Sequence, residues 1–149
     1  MHFFINIWEK YATFLRYAVV GALGTAVDLG TLALLTELSG IDPQTSALFP
    51  LFVTCAFLAA VINNYILNRL WTFKSQDKNV AAQFLRFLLV SVGGFLLTLL
   101  LMWVMVSGLK VWYLLAKALT SLIVLVWNFG LNKMWAFRQP TPTPVSQSS

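Results

Sequence analysis

Asn63-Asn64-Tyr65-Ile66-Leu67-Asn68-Arg69-Leu70-Trp71-Thr72-Phe73 closes one long apolar run, and Trp127-Asn128-Phe129-Gly130-Leu131-Asn132-Lys133-Met134-Trp135-Ala136-Phe137 closes another. In both stretches two asparagines stand four residues apart, which puts them on one face of a helix. A cation follows the second asparagine at once, then a tryptophan and a phenylalanine. The recurrence predicts a duplicated membrane protein with a polar seam at one face of the bilayer.

Composition makes lipid the solvent. Of 149 residues, 59% are apolar and 10% charged, against roughly 25% charged in soluble domains. Cys55 is the single cysteine, so an intrachain disulfide is excluded. His2 is the single histidine, which removes most histidine-based catalysis and metal chemistry. No cofactor or metal is expected. The net charge of +5 reports topology and anionic headgroups rather than nucleic acid.

Working outward, residues 1–16 read as an interfacial segment, with Phe3, Phe4, Ile7, Trp8 and Tyr11 among Glu9, Lys10 and Arg16. A cleaved signal peptide fits poorly, because the apolar stretch that follows is too long and no small-residue cleavage site ends it. A first transmembrane hairpin is expected over 17–67. Its spans at 17–38 and 47–67 are broken by Ser39-Gly40-Ile41-Asp42-Pro43. A basic connector fills 68–86, and a second hairpin over 87–132 has spans at 87–106 and 112–131. Each span reaches the length of about 20 residues that a hydrocarbon core requires. The tail, 133–149, turns into a Pro/Ser/Thr sequence expected to be disordered from about 140.

Lys10, Arg16, Arg69, Lys74, Lys78, Arg86, Lys133 and Arg138 fall on one side of these spans, and Lys110 sits in a loop on the other. The positive-inside rule makes both termini and the central connector cytoplasmic.

The front of each half also recurs. Phe14-Leu15-Arg16-Tyr17 aligns with Phe84-Leu85-Arg86-Phe87 at an offset of 70, whereas the asparagine motifs align at 64. The expected fold is therefore an all-α membrane protein of four transmembrane helices, a parallel duplication of a two-helix hairpin.

These residues carry a resemblance. Phe14-Leu15-Arg16-Tyr17, then Val20-Gly21-x-x-Gly24-Thr25 and Asp28, then Asn64-Tyr65-x-Leu67-Asn68-Arg69-x-Trp71-Thr72-Phe73 with its echo, together resemble the GtrA-like family from about Phe14 to Phe137. These are small four-helix bacterial membrane proteins linked to cell-surface polysaccharide glycosylation. The resemblance implies a multi-pass protein of the bacterial cytoplasmic membrane, a flippase for a polyprenyl-phosphate-linked sugar such as an undecaprenyl phosphate. It implies a partnership with a membrane glycosyltransferase as well.

The chemistry of the seam admits such a ligand. Arg16, Arg69, Arg86 and Lys133 each stand where a span meets the basic interface, and in a bundle they are expected to form one ring for a phosphodiester. Asn64, Asn68, Asn128 and Asn132 can donate to and accept from sugar hydroxyls or phosphate. Alternatively, the cations only set topology and the asparagines bond between helices, although such contacts average only ~0.6 kcal/mol.

Asp28 lies about 18 Å beyond Arg16, near mid-membrane, where a carboxylate costs at least ~2.5 kcal/mol and should face protein or water. Thr98 takes its place in the second half. Lys117 lies within about 6 Å of the same depth. Asp28 and Lys117 are expected to pair or to alternate partners, or else to form a static buried pair, or Asp28 to stand unpaired and protonated. Trp71, Phe73, Trp135 and Phe137 read as interfacial belt residues in preference to sugar-stacking platforms.

Two other classes stay open, a small proton-coupled exporter and a non-transporting subunit that anchors a glycosyltransferase. An enzyme is not expected, since no Asp-x-Asp pair, catalytic histidine or nucleophile beside a base is present. Four helices enclose little volume, so a homo-oligomer is expected, joined through the Gly21/Gly24 or Gly93/Gly94 faces and surrounded by membrane lipids.

Overall fold

The computed structural model describes residues 2–42 and 44–138, and the side chains from Glu9 onward apart from Lys10. The expected disorder beyond 140 and the interfacial placement of the Phe3, Phe4, Ile7 and Trp8 side chains lie outside the described residues.

Four helices carry the chain: α1 (His2–Ser39), α2 (Phe49–Leu67), α3 (Val80–Met102) and α4 (Tyr113–Leu131). All four are long and apolar enough to span a bilayer, and at most 22% of any apolar window is buried inside the protein. The remainder of each window is turned outward, as an apolar membrane-spanning composition requires. The all-helical, four-span architecture is thus the expected one.

The boundaries differ from those the hydropathy suggests. Residues 2–16 form no separate segment; they continue into α1, whose 38 residues extend about 57 Å and outrun a hydrocarbon core of about 30 Å. The connector 68–86 is shorter than its polarity suggests, because helix enters it from both sides. Asn68–Thr72 prolongs α2 and Val80 already opens α3. Arg69 and Arg86 are therefore helical residues, not loop residues.

Local chemistry explains the ends. Gly40, at φ 64°, takes the left-handed position that closes α1 while its N–H bonds the Thr36 carbonyl. In the following loop the Asp42 carboxylate accepts from Gln44 N–H and Thr45 Oγ1, both at 2.9 Å. These bonds hold its carboxyl below the usual range. Asn79 caps α3 by accepting from Ala82 N–H at 3.1 Å.

The two motif stretches share one backbone device. Asn68–Thr72 and Asn132–Ala136 are wide π-helical turns, closed by Phe73 N–H to the Asn68 carbonyl and by Phe137 N–H to the Asn132 carbonyl, each at 2.8 Å. When the bond spans five residues instead of four, positions four and five along both turn inward. Asn68, Thr72 and Phe73 thereby share a face, as do Asn132, Ala136 and Phe137.

The packing that results corrects one expectation. Trp71 and Trp135 are exposed, as belt residues would be, but Phe137 is only 3% exposed. Its ring stacks on Phe73 at 4.7 Å and 17° and touches Tyr65 and Phe87. Phe73 in turn meets Tyr17 and Phe129. Phe73 and Phe137 are core residues because the wide turn rotates them away from lipid. Helix contacts otherwise run mainly within each hairpin, α1 on α2 and α3 on α4, so this aromatic cluster is where the hairpins lock together. Away from it they part, and a cavity opens.

Candidate functional site

The central cavity has a volume of about 390 Å³ and reaches residues of all four helices. Asn64 and Asn68 come to it from α2 and its extension, Asn128 from α4, and Asp28 with Thr25 from α1. Ser91 and Thr98 face it from α3, and Tyr17 and Phe87 line it from the aromatic cluster. Three of the four seam asparagines and Asp28 therefore share one chamber.

The amides are placed by glycines. A Cβ on Gly24 would overlap the Asn64 carboxamide, and one on Gly94 would overlap that of Asn128. Only a hydrogen at these two positions lets each amide lie against the neighbouring helix. Gly24 and Gly94 are thus taken up inside their own hairpins and are closed to the intersubunit contact expected of them. Gly21 and Gly93 have open space where a Cβ would go.

The seam is polar and short of partners. Among the described residues, Asn64 Oδ1, Asn68 Oδ1 and Asn128 Oδ1 are buried and accept no hydrogen bond. Such groups are rare in folded proteins, and leaving one unpaired costs about 1–3 kcal/mol. The Asp28 carboxylate likewise meets no donor among the described residues, though it lines the cavity. Asn132 Oδ1 is likewise buried without a partner, but its Nδ2 donates to Tyr17 Oη at 2.9 Å, tying α4 to α1 beside the chamber.

No ion pair joins Asp28 to Lys117 among the described residues. Lys117 stands on the exposed side of α4, next to the buried Ala116. Being in the first turns of α4, it can extend its ammonium along lipid toward the nearer interface.

The four basic residues lie at the motif end without forming one ring. Arg69 donates to Gln83 Oε1 and, at 2.6 Å, to the Asp77 carbonyl. Arg86 approaches the Asp77 carboxylate at 3.7 Å and donates to the Trp135 carbonyl at 3.4 Å. Both arginines thus converge on Asp77 and brace the connector. Lys133 stands over the Phe129 ring, 5.6 Å from its centroid, beside a second cavity. Arg16 is half-exposed, with no hydrogen bond or ion pair among the described residues.

Gln83 is the residue the sequence reading missed. It is fully buried; its Oε1 receives Arg69 and lies 3.1 Å from Tyr65 Oη, while its Nε2 donates to Ser75 Oγ at 2.7 Å. An amide opposite an arginine across a short connector was the available signal. Gln83→Leu should lower stability by about 2 kcal/mol, because a guanidinium loses its buried acceptor. Thermal unfolding in detergent measures this, and an unchanged midpoint would show that Asp77 alone holds Arg69.

Nothing here resembles a metal centre: among the described residues no three His, Cys, Asp or Glu side chains gather closely enough to hold one.

Comparison with known proteins adds three relatives and one family. The family model described as "GtrA/DPMS, transmembrane domain" matches residues 16–137. An uncharacterized membrane protein of Bacillus subtilis, YngA, is 28% identical over 137 residues, covering 90% of this chain and 85% of that one. The cell wall teichoic acid glycosylation protein GtcA of Listeria innocua is 26% identical over 133 residues, covering 87% and 88%. A dolichol-phosphate mannosyltransferase of Pyrococcus furiosus is 28% identical over 127 residues, covering 84% of this chain but only 33% of the enzyme.

Proposed function

The chain belongs to the GtrA/DPMS transmembrane-domain family, and from that premise we propose that it moves a polyprenyl-phosphate-linked sugar across the bacterial cytoplasmic membrane for cell-surface polysaccharide glycosylation. The relatives' names support the substrate class. One names teichoic acid glycosylation; another names dolichol phosphate, itself a polyprenyl phosphate, and a sugar transfer.

The observation that carries the reading is the chamber itself. Three buried amide oxygens without partners and a mid-membrane carboxylate surround about 390 Å³, a volume in the range of small-ligand sites. Stability does not explain such a lining, since unpaired polar groups in hydrocarbon cost free energy. A guest rich in hydroxyls does explain it. In this reading Asn64, Asn68 and Asn128 bond the sugar, Asp28 accepts from a hydroxyl deeper in, and both termini face the cytoplasm. Arg69, Arg86 and Asn132 hold the frame, and Arg16 and Lys133 attract the phosphate. Transfer of a bond-rich headgroup through a lined chamber requires no catalytic group.

The test uses purified protein reconstituted in sealed vesicles with a polyprenyl phosphate carrying a tritiated sugar. A membrane-impermeant lectin captures only the sugar in the outer leaflet. With the protein, the inner pool should become available to the lectin; without it, that pool should stay protected. Asp28→Asn should slow transfer about fivefold, the effect of roughly 1 kcal/mol lost when a charged acceptor becomes a neutral one. An unchanged rate at equal expression removes Asp28 from the mechanism.

A second reading is favoured by the partial match to the archaeal mannosyltransferase, in which the bundle anchors or presents lipid to a separate glycosyltransferase. Folded protein that leaves the inner pool protected would select it.

A further inference from the structure

The second cavity, also about 390 Å³, lies at the motif end outside the aromatic cluster and is lined by Thr13, Thr72, Phe73, Lys133, Phe137 and Arg138 among others. The stacked Phe73 and Phe137 rings stand between it and the central chamber, whose wall includes their neighbours Tyr17 and Phe87. It holds two cations and two hydroxyls, and no carboxylate lines it among the described residues.

One hydroxyl marks it as a binding site. Thr13, Thr25, Thr36, Thr54 and Thr98 each return their hydroxyl to the carbonyl four residues back. Thr72 does not. It is 4% exposed, lines this cavity, and its Oγ1 has no partner. Thr72 lies in the wide turn, where the Asn68 carbonyl accepts from Phe73 N–H at 2.8 Å.

The sequence repeat supplies an internal comparison. It aligns Lys133 with Arg69, Phe129 with Tyr65, and Thr13 with Gln83. At the Arg69 position the protein provides its own acceptors: Gln83 Oε1, with Tyr65 Oη beside it, and the Asp77 carbonyl. At the Lys133 position the amide is shortened to a threonine and the phenol loses its hydroxyl. What remains is a cation facing space and no built-in acceptor. A vacated acceptor between cations and a free hydroxyl donor calls for an anion with several oxygens.

We propose that this groove binds a phosphoryl group, with Lys133 and Arg138 neutralising it and Thr72 donating to one of its oxygens. As the docking place of the transported lipid's phosphate it rests on the transport reading; as an anion site it does not.

The test titrates the full chain, in nanodiscs of neutral phosphatidylcholine, with farnesyl phosphate and separately with inorganic phosphate. Farnesyl phosphate should bind. Lys133→Gln, at an exposed position that leaves the fold alone, should weaken binding at least about tenfold. Lys78→Gln, the same charge change on the connector at the same end, should leave it unaltered. The triple variant T13Q/F129Y/K133R rebuilds the acceptors of the other half and should abolish binding. Inorganic phosphate competing with farnesyl phosphate identifies the phosphoryl group alone as the ligand; farnesyl phosphate binding without such competition identifies a lipid headgroup. Wild-type protein that binds neither probe, or K133Q that binds like wild type, overturns the proposal. If binding behaves as stated while lectin-accessible sugar does not increase in vesicles, the groove stands and the transport reading fails. If sugar crosses while K133Q binds normally, the reverse holds.

Discussion

Phe137→Ala is expected to destabilise the bundle by about 3–5 kcal/mol, whereas Trp135→Ala, two residues earlier, should change it by less than about 1 kcal/mol. Both are aromatic, both lie in the last turn beyond α4, and a lipid-belt assignment would make them alike. Their surroundings differ. Trp135 is 47% exposed, so truncation removes a ring that lipid largely covers. Phe137 stacks on Phe73 and reaches Tyr65 of α2 and Phe87 of α3. Its loss leaves a hole in the aromatic cluster that locks the hairpins together, and it breaches the wall between the chamber and the outer groove. Phe137→Leu, which refills most of the volume, should recover more than half of the loss. Thermal or denaturant unfolding in detergent micelles measures all three. Equal midpoints for the alanine variants would show that Phe137 belongs to the belt after all.

The contrast also shows what a linear reading can see. Hydropathy reports how deep a residue lies along its helix, and the four spans were legible for that reason. It does not report azimuth once the helix departs from its ordinary pitch. At ordinary pitch Phe73 and Phe137 would turn off the faces of Asn68 and Asn132, five residues earlier. The wide turn brings them onto those faces, and nothing in the residue types announces it. Asp28 and Lys117 illustrate the same limit without any distortion. Their depths agree, but Lys117 turns outward, and depth alone cannot tell a partner from a residue reaching along lipid.

Charge was legible as a total and illegible as an arrangement. Arg16, Arg69, Arg86 and Lys133 read as one ring, yet the two middle arginines are consumed by the seven-residue loop between the hairpins. Asp77 and Gln83 decide this, and neither is conspicuous in the sequence. The amides were the most legible part of the site. A four-residue spacing written twice placed Asn64, Asn68 and Asn128 together, and Asn132 beside them. Hidden from that pattern was the role of the opposing glycines, which spacing could link to close packing but not to a particular partner.

Those glycines give the sharpest functional test. Gly24→Ala and Gly94→Ala should each cut sugar transfer about fivefold to tenfold, the loss expected when a hydrogen bond to a sugar hydroxyl worth about 1–1.5 kcal/mol is removed. In each case the new methyl would occupy the space of the facing carboxamide, Asn64 or Asn128. The carboxamide is the free end of a side chain, so it can swing aside while the helices stay in place. Overpacking of this kind costs about 1–3 kcal/mol, partly offset by the helix preference of alanine over glycine, about 1 kcal/mol. Folding should therefore survive while the amide leaves the seam. Gly93→Ala is the control built into the chain. It adds the same methyl one residue away, where nothing lies within 4 Å, and should leave transfer within about twofold of wild type. The vesicle assay with tritiated sugar reads the difference, and detergent unfolding confirms that the variants are folded. Equal transfer by Gly93→Ala and Gly94→Ala would mean that the position of the Asn128 amide does not matter, and a chamber whose amides can be displaced without effect is not where the sugar passes.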